Sequence, residues 1–342
     1  MQTSSSRTGI ILVNLGTPEA PSASAIRSYL GEFLWDKRVV EIPRPLWWLI
    51  LNFIILPWRP RKIVHSYQSI WLKEGSPLRV ISLEQAKRLQ ASIDQQFGEN
   101  AYQVEFAMTY GQPSFDQAWG ELQKQGVDRV FILPLYPQYS ATTTGAMFDQ
   151  LSRTFQAERN IPELRICKDY HAHPLFIKAL CASVGKHWEE AEKNNDTASS
   201  RFLLFSFHGI PTACIEKGDP YYEHCKLTAQ NVAQQLGLED HQWQLSFQSR
   251  VGKARWLQPY TEETVRKLGE QGLKRLDVIC PGFSADCLET LEEISIQNRE
   301  FYEKAGGSGF AYIPALNNNA EHIALMSGLF QEKCSDWLNQ QS

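Results

Sequence analysis

One histidine in this chain stands where chemistry is done. In FLLFSFHGIP, residues 202–211, His208 closes a run of apolar and aromatic residues and opens onto a Gly-x-Pro turn. Imidazole titrates near pH ~6.5, so at neutral pH it takes a proton or binds a metal. The other histidines lack that setting. His65, His187, His241 and His322 lie in helical or polar surface contexts, and His171, His173 and His224 lie in loops away from strand ends. In doubly wound sheets ligands bind outside the carboxyl ends of strands. His208 is therefore a candidate base or metal ligand, against the plainer reading of a hydrogen-bonded turn residue.

A second group is acidic. In PGFSADCLETLEEI, residues 281–294, a helix is expected after the strand-end turn, with Ser284 as its N-cap. Asp286, Glu289 and Glu293 then share one face at i, i+3 and i, i+4 spacing, and such like-charged pairs repel by a few tenths of a kcal/mol each. Attraction of early acids to the helix N-terminus accounts for Asp286 and poorly for Glu293. A row of carboxylates facing a cleft suits a divalent cation or a proton relay. Two further stretches supply ligand contacts. LPLYPQYSATTTGAMFDQLSR, residues 133–153, carries hydroxyls toward Arg153, and QSRVGKARWLQPYT, residues 248–261, sets Arg250, Lys253 and Arg255 beside Trp256. Cations around an indole suit a flat anionic ligand. No Gly-rich dinucleotide loop, GxxxxGK[ST] or GxSxG is present, which removes support for hydride transfer, nucleotide hydrolysis and serine acyl chemistry.

The elements that must position these groups alternate. Short β-branched and aromatic runs at 8–16, 102–110, 128–136, 201–209, 244–250 and 276–283 are separated by stretches of helical periodicity. That is the pattern of parallel sheets with crossover helices. A faint duplication points to two lobes: ILVNLGTP and LLFSFHGIP both run from a strand into Gly-x-Pro, and EKNNDTASSR, 192–201, reads as a linker. With 342 residues and a net charge of -4, the chain has length for two domains and no bulk attraction for nucleic acid. The first residues lack the apolar core of a secretion signal, so a cytoplasmic protein is expected. Seven cysteines without a CxxC pair argue against a disulfide framework or a structural zinc.

One segment departs from this pattern. LWWLILNFIILPW, 46–58, is an apolar run of 13 residues edged by Arg44, Arg59, Arg61 and Lys62. A membrane-crossing helix needs about 20 apolar residues. The run is either a buried element or an interfacial one, with tryptophans and cations at headgroup level.

These motifs together resemble the ferrochelatases, in their proteobacterial branch. The resemblance spans about residues 8–330 and rests on LVNLGTPEAP, YPQYSATTTGA, SFHGIP with GDPYY, FQSRVGKARWLQPYT, CPGFSADCLETLEEI and PALN. It implies an α/β protein of two Rossmann-like lobes with parallel four-stranded sheets enclosing a cleft. The implied lobes are 1–157 and 158–315, with a C-terminal helix, 316–342, returning to the first. By resemblance His208 is the active-site histidine and Glu289 its partner, the two binding the metal, with Asp286 and Glu293 continuing along an irregular helix as a proton or metal relay. Leu15, Tyr110, Tyr139, Arg153 and Trp256 are implied porphyrin contacts, and Trp47, Trp48 and Arg59 a lip.

Some members hold a [2Fe-2S] cluster on one internal and three C-terminal cysteines. Cys181 resembles the internal one, but the tail holds only Cys334 and four thiolates are needed, so no cofactor is expected. The implied reaction inserts Fe2+ into protoporphyrin IX as the last step of haem biosynthesis. It must expel two weakly acidic pyrrole protons, so a base and a proton route are required. The alternatives are a chelatase for coproporphyrin or cobalt, disfavoured by the apolar lip, and a haem carrier, which needs no acidic row. A monomer in peripheral contact with the inner face of the cytoplasmic membrane is expected.

Overall fold

The computed structural model describes residues 7–193, 201–250, 252 and 254–338. Most of the expected linker, and Lys253 of the cation group, lie outside them. The chain divides into two compact units, one of Met1–Tyr136, Ser140–Asp169 and Asn318–Ser342, the other of Pro137–Tyr139 and Tyr170–Asn317.

The first unit is built on a parallel sheet of β1 (Arg7–Gly16), β2 (Tyr102–Tyr110), β3 (Val127–Pro134) and β4 (Glu163–Ile166), in the order β2-β1-β3-β4. β1 reads IILV at its centre because a middle strand covered on both faces has no side for polar residues. On one face Ile11, Val13, Val130 and Ile132 pack with Trp119, Leu122, Leu151 and Phe155 from the helices Phe115–Lys124 and Ala146–Gln156. Elsewhere in the unit, Phe330 of the helix Ala320–Lys333 meets the rings of Phe97, Tyr102 and Phe131. The boundary expected at 157/158 falls instead at 169/170. The reason is β4, which pairs in register with β3 and completes the first sheet. Its four residues, ELRI, are too few and too polar to register as a strand in the sequence.

The second unit repeats the plan with β5 (Arg201–His208), β6 (Trp243–Gln248), β7 (Arg275–Ile279) and β8 (Gly309–Ile313), ordered β6-β5-β7-β8. The same order in both sheets agrees with the duplication read from the Gly-x-Pro turns. β8 is the second strand absent from the sequence reading, again a short edge. Leu204, Leu276 and Val278 pack with Val265, Leu268, Ile294 and Tyr302 as the core.

The apolar segment is part of an unbroken helical run, 44–70, with a π-helical turn at Leu51–Ile55. Its two faces differ. Trp47, Leu51, Leu56 and Tyr67 are buried, whereas Trp48, Leu49, Phe53, Ile54 and Trp58 are exposed, Phe53 and Trp58 each at 64%. This corrects the expectation for Trp47. Helical spacing turns it inward to 5% exposure, where its indole N–H donates to the Leu34 carbonyl at 2.7 Å. No described helix is long and apolar enough to cross a membrane.

Candidate active site

His208 is the last residue of β5, half-buried, and its Nδ1 lies 2.6 Å from the Gly209 carbonyl oxygen. A carbonyl only accepts, so Nδ1 carries the proton and Nε2 keeps its lone pair. That nitrogen has no partner among the described residues. The tautomer required of a base or a metal ligand is thus set by the backbone beside it. The turn is held tightly. Gly209 donates its N–H to the Gln248 carbonyl at 2.8 Å, and a Cβ there would meet that carbonyl at 2.9 Å and the Trp256 ring at 3.3 Å. Glycine is required by close approach. Tyr221 donates to the His208 carbonyl at 3.0 Å from a fully buried phenol, which burial pushes well up and so keeps protonated.

Gln248, at the end of β6, stands in register opposite His208. Its buried amide accepts from Ser206 Oγ at 2.7 Å and donates from Nε2 to the Glu289 carbonyl at 2.9 Å. The strand carrying His208 and the first residue of the acidic helix are therefore tied to one side chain. Nothing in the residue type of Gln248 marked it beforehand. Its position in FQSR beside the strand end was the available signal.

The acidic helix differs from the expected one. Ser284 is buried in the turn, and the residue at the helix cap is Leu288 instead. The helix is π-helical over Glu289–Asn298, with i to i+5 hydrogen bonds, a form concentrated at functional sites. Asp286 lies before it, and its carboxylate is filled: Thr290 Oγ1 donates at 2.9 Å, Tyr312 OH at 2.5 Å and Ala315 N at 3.3 Å to one oxygen, and Asn317 Nδ2 at 2.7 Å to the other. That geometry anchors the helix start. It leaves little room for the relay role expected of Asp286.

The Glu289 charge does act on Glu293. Burial, opposed by hydrogen bonds from Ser249 and reinforced by the Glu289 charge, pushes the Glu293 carboxyl up to about 7. Ser249 donates its N–H to Glu293 at 2.7 Å and its hydroxyl at 2.5 Å, from a backbone held at φ 66°. A non-glycine residue in that region signals a constraint, and here it aims two donors at one carboxylate. The Cys287 thiol is pushed well up, first by burial and then by Glu289, so it stays protonated.

The remaining expected contacts divide between the units. Tyr139 and Trp256 belong to the second. Tyr139 donates its backbone N–H to His224 Nδ1 at 3.2 Å, and Trp256 bridges to Pro211. Leu15, Tyr110 and Arg153 belong to the first. The Leu15 N–H is held by Asn14 Oδ1 at 2.8 Å. The Tyr110 hydroxyl donates to Asp36 at 3.0 Å, its ring stands edge-on to Phe33 at 5.2 Å, and burial drives its phenol far up. Arg153 is exposed and donates to Gln150 at 3.2 Å.

The ferrochelatase family profile matches residues 7–334. A ferrochelatase of Aeromonas hydrophila is 51% identical over 323 residues, covering 94% of this chain and 97% of the relative. One of Marinobacter nauticus is 47% identical, covering 97% and 88%. Among solved structures, SirB from Bacillus subtilis with Fe3+ superposes with a TM-score of 0.55 at 10% identity, covering 96% and 97%. CbiX, the terminal enzyme of sirohaem biosynthesis in denitrifying bacteria, gives 0.51 at 14%, covering 95% and 99%. At those identities the likeness is one of fold: two parallel four-stranded sheets flanked by helices, the chelatase fold.

Proposed function

The chain belongs to the ferrochelatase family and inserts Fe2+ into protoporphyrin IX in haem biosynthesis, and we propose that His208 and Glu289 carry the reaction. Metal enters as two pyrrole N–H bonds break and two protons leave. His208 accepts a pyrrole proton at Nε2, its Nδ1–H being committed to the Gly209 carbonyl. Imidazole and carboxylate both ligate Fe2+, so Glu289 faces the metal. Glu293, with its pKa raised to about 7, takes up and releases protons near neutral pH. Asp286 acts as the anchor of this wall. The observation that carries the reading is Gln248, which ties the His208 strand and the Glu289 backbone together. The test is anaerobic mixing of protein, protoporphyrin and Fe2+. The free-base absorption should vanish with wild type and persist with His208→Ala. Persistence with both refutes the reading.

No resident cofactor takes part in this proposal. A [2Fe-2S] cluster needs four thiolates, and after Cys287 the sequence offers Cys334 alone to join Cys181. Leu15, Tyr110, Tyr139, Arg153 and Trp256 supply the porphyrin contacts. The exposed face of 46–58 makes peripheral contact with a membrane surface, where poorly soluble protoporphyrin is collected. Each exposed Trp, Phe or Ile that becomes fully buried contributes about 1.5 to 3 kcal/mol.

A further inference from the structure

Beside that exposed face lies a groove of about 320 Å3, lined by Ala23, Ser24 and Arg27 from the helix Ala23–Trp35 and by Leu56, Pro57, Trp58, Pro60 and Arg61 from the helix Leu56–Ile70. It lies wholly within the first unit. Two cations reach it. Arg27 spends one nitrogen, Nη1, on the Leu56 carbonyl at 3.2 Å, leaving its other donors without a partner among the described residues. Arg61 has no ion pair or hydrogen bond there at all, and the same holds for the neighbouring Arg59 and Lys62. No Asp or Glu occurs anywhere in residues 42–70. Two other arginines of this unit do find carboxylates, Arg38 with Asp149 and Arg165 with Asp336.

We propose that this groove binds the phosphodiester headgroup of an anionic phospholipid, with Arg27 and Arg61 closing on the phosphate. The charge complementarity is direct, since guanidinium forks match phosphate oxygens. The occupant is a lipid because the same helical run presents Phe53, Ile54 and Trp58 to solvent. Acyl chains have apolar partners there while the phosphate has cations, whereas an acidic peptide needs the cations alone. The inference rests on the membrane reading above and sharpens it from a general surface attraction to a site.

The experiment is sedimentation of the full chain with phosphatidylcholine vesicles, with and without phosphatidylglycerol. Arg27→Gln/Arg61→Gln is compared with Arg59→Gln/Lys62→Gln, which removes the same charge outside the groove. General attraction predicts equal losses from the two. A headgroup site predicts that the groove variant binds phosphatidylglycerol vesicles about tenfold more weakly than the control variant. Equal Kd values overturn the proposal. Should the double variant unfold on loss of the Leu56 contact, Arg61→Gln decides, because Arg61 holds nothing in the fold. It should lose most of the phosphatidylglycerol preference, and an unchanged preference overturns the site. Wild type that binds both vesicles alike refutes the site and leaves the membrane contact standing. Wild type that binds neither refutes the membrane reading itself.

Discussion

The run 44–70 and the acidic helix 289–298 break the ordinary rule of burial in opposite senses. The first holds Trp, Phe and Ile out to solvent, and the second takes Glu293 into the protein until its pKa rises to about 7. Both contain π-helical turns. The difference lies in what compensates each. On the acidic helix and the turn before it the cost is offset by specific donors: Ser249 on Glu293, four groups on Asp286 and Gln248 on the Glu289 carbonyl. On the apolar run nothing offsets it within the described residues. A charge drawn inside with donors supplied marks chemistry within the protein, and an apolar face left uncovered marks an external partner.

The largest effects should fall on the charged side of this comparison. His208→Ala should lower turnover by roughly 10² to 10⁴, the span of a lost general base, with circular dichroism unchanged. Glu289→Gln should also fall steeply. Parent-like turnover in either variant removes it from the reaction.

Stability should separate the two faces of the apolar run. Trp47→Ala removes a core indole and should cost about 3 to 5 kcal/mol, whereas Trp48→Ser with Phe53→Ser and Ile54→Ser should stay within about 0.5 kcal/mol per site. Denaturant titration measures both. The triple variant should raise the porphyrin KM and leave kcat with detergent-dispersed porphyrin near normal. Loss of stability in the triple variant would make that face core and end the comparison.

Gln248→Leu should cost about 1 to 3 kcal/mol, since the Ser206 hydroxyl and the Glu289 carbonyl lose their buried partner. Turnover should fall further than stability accounts for, and Gln248→Glu should restore the bond from Ser206 but not the one to Glu289.

The smallest effect is on pH dependence. A carboxyl whose pKa is raised from 4.5 to about 7 in the folded state binds more protons folded than unfolded across that window. Its contribution to stability therefore declines as pH rises from 4.5 to 7 and stays lost above. Glu293→Gln should stabilise the protein at pH ~8 by on the order of 1 to 3 kcal/mol and do so much less at pH ~5. Equal thermal shifts at both pH values would mean that Glu293 is not the strained group.

Much of the frame was legible because it is written in local patterns. Six of the eight strands declared themselves through β-branched and aromatic runs, and His208 through its place before Gly-x-Pro. β4 and β8 did not, since a short edge strand is defined by the partner it pairs with more than by its own residues. The acids were visible as a row, yet the assumption of an ordinary helix from Ser284 misassigned Asp286, whose partners at 312, 315 and 317 lie far along the chain.

What the sequence by itself determined, then, was composition and period: parallel α/β order, a histidine at a strand end, acids close together, and an apolar run too short to cross a membrane. What only the tertiary structure decided was surroundings. Trp47 and Trp48 are adjacent and identical in type, and one is buried while the other is exposed because the helix Ala23–Trp35 covers one side alone. Glu289 and Glu293 are alike in type, and Glu293 is driven toward neutral pH by burial and by the Glu289 charge, against the two donors that Ser249 aims at it. Burial and charge at a position are sums over neighbours brought from elsewhere in the chain, so they exist only once the chain has folded.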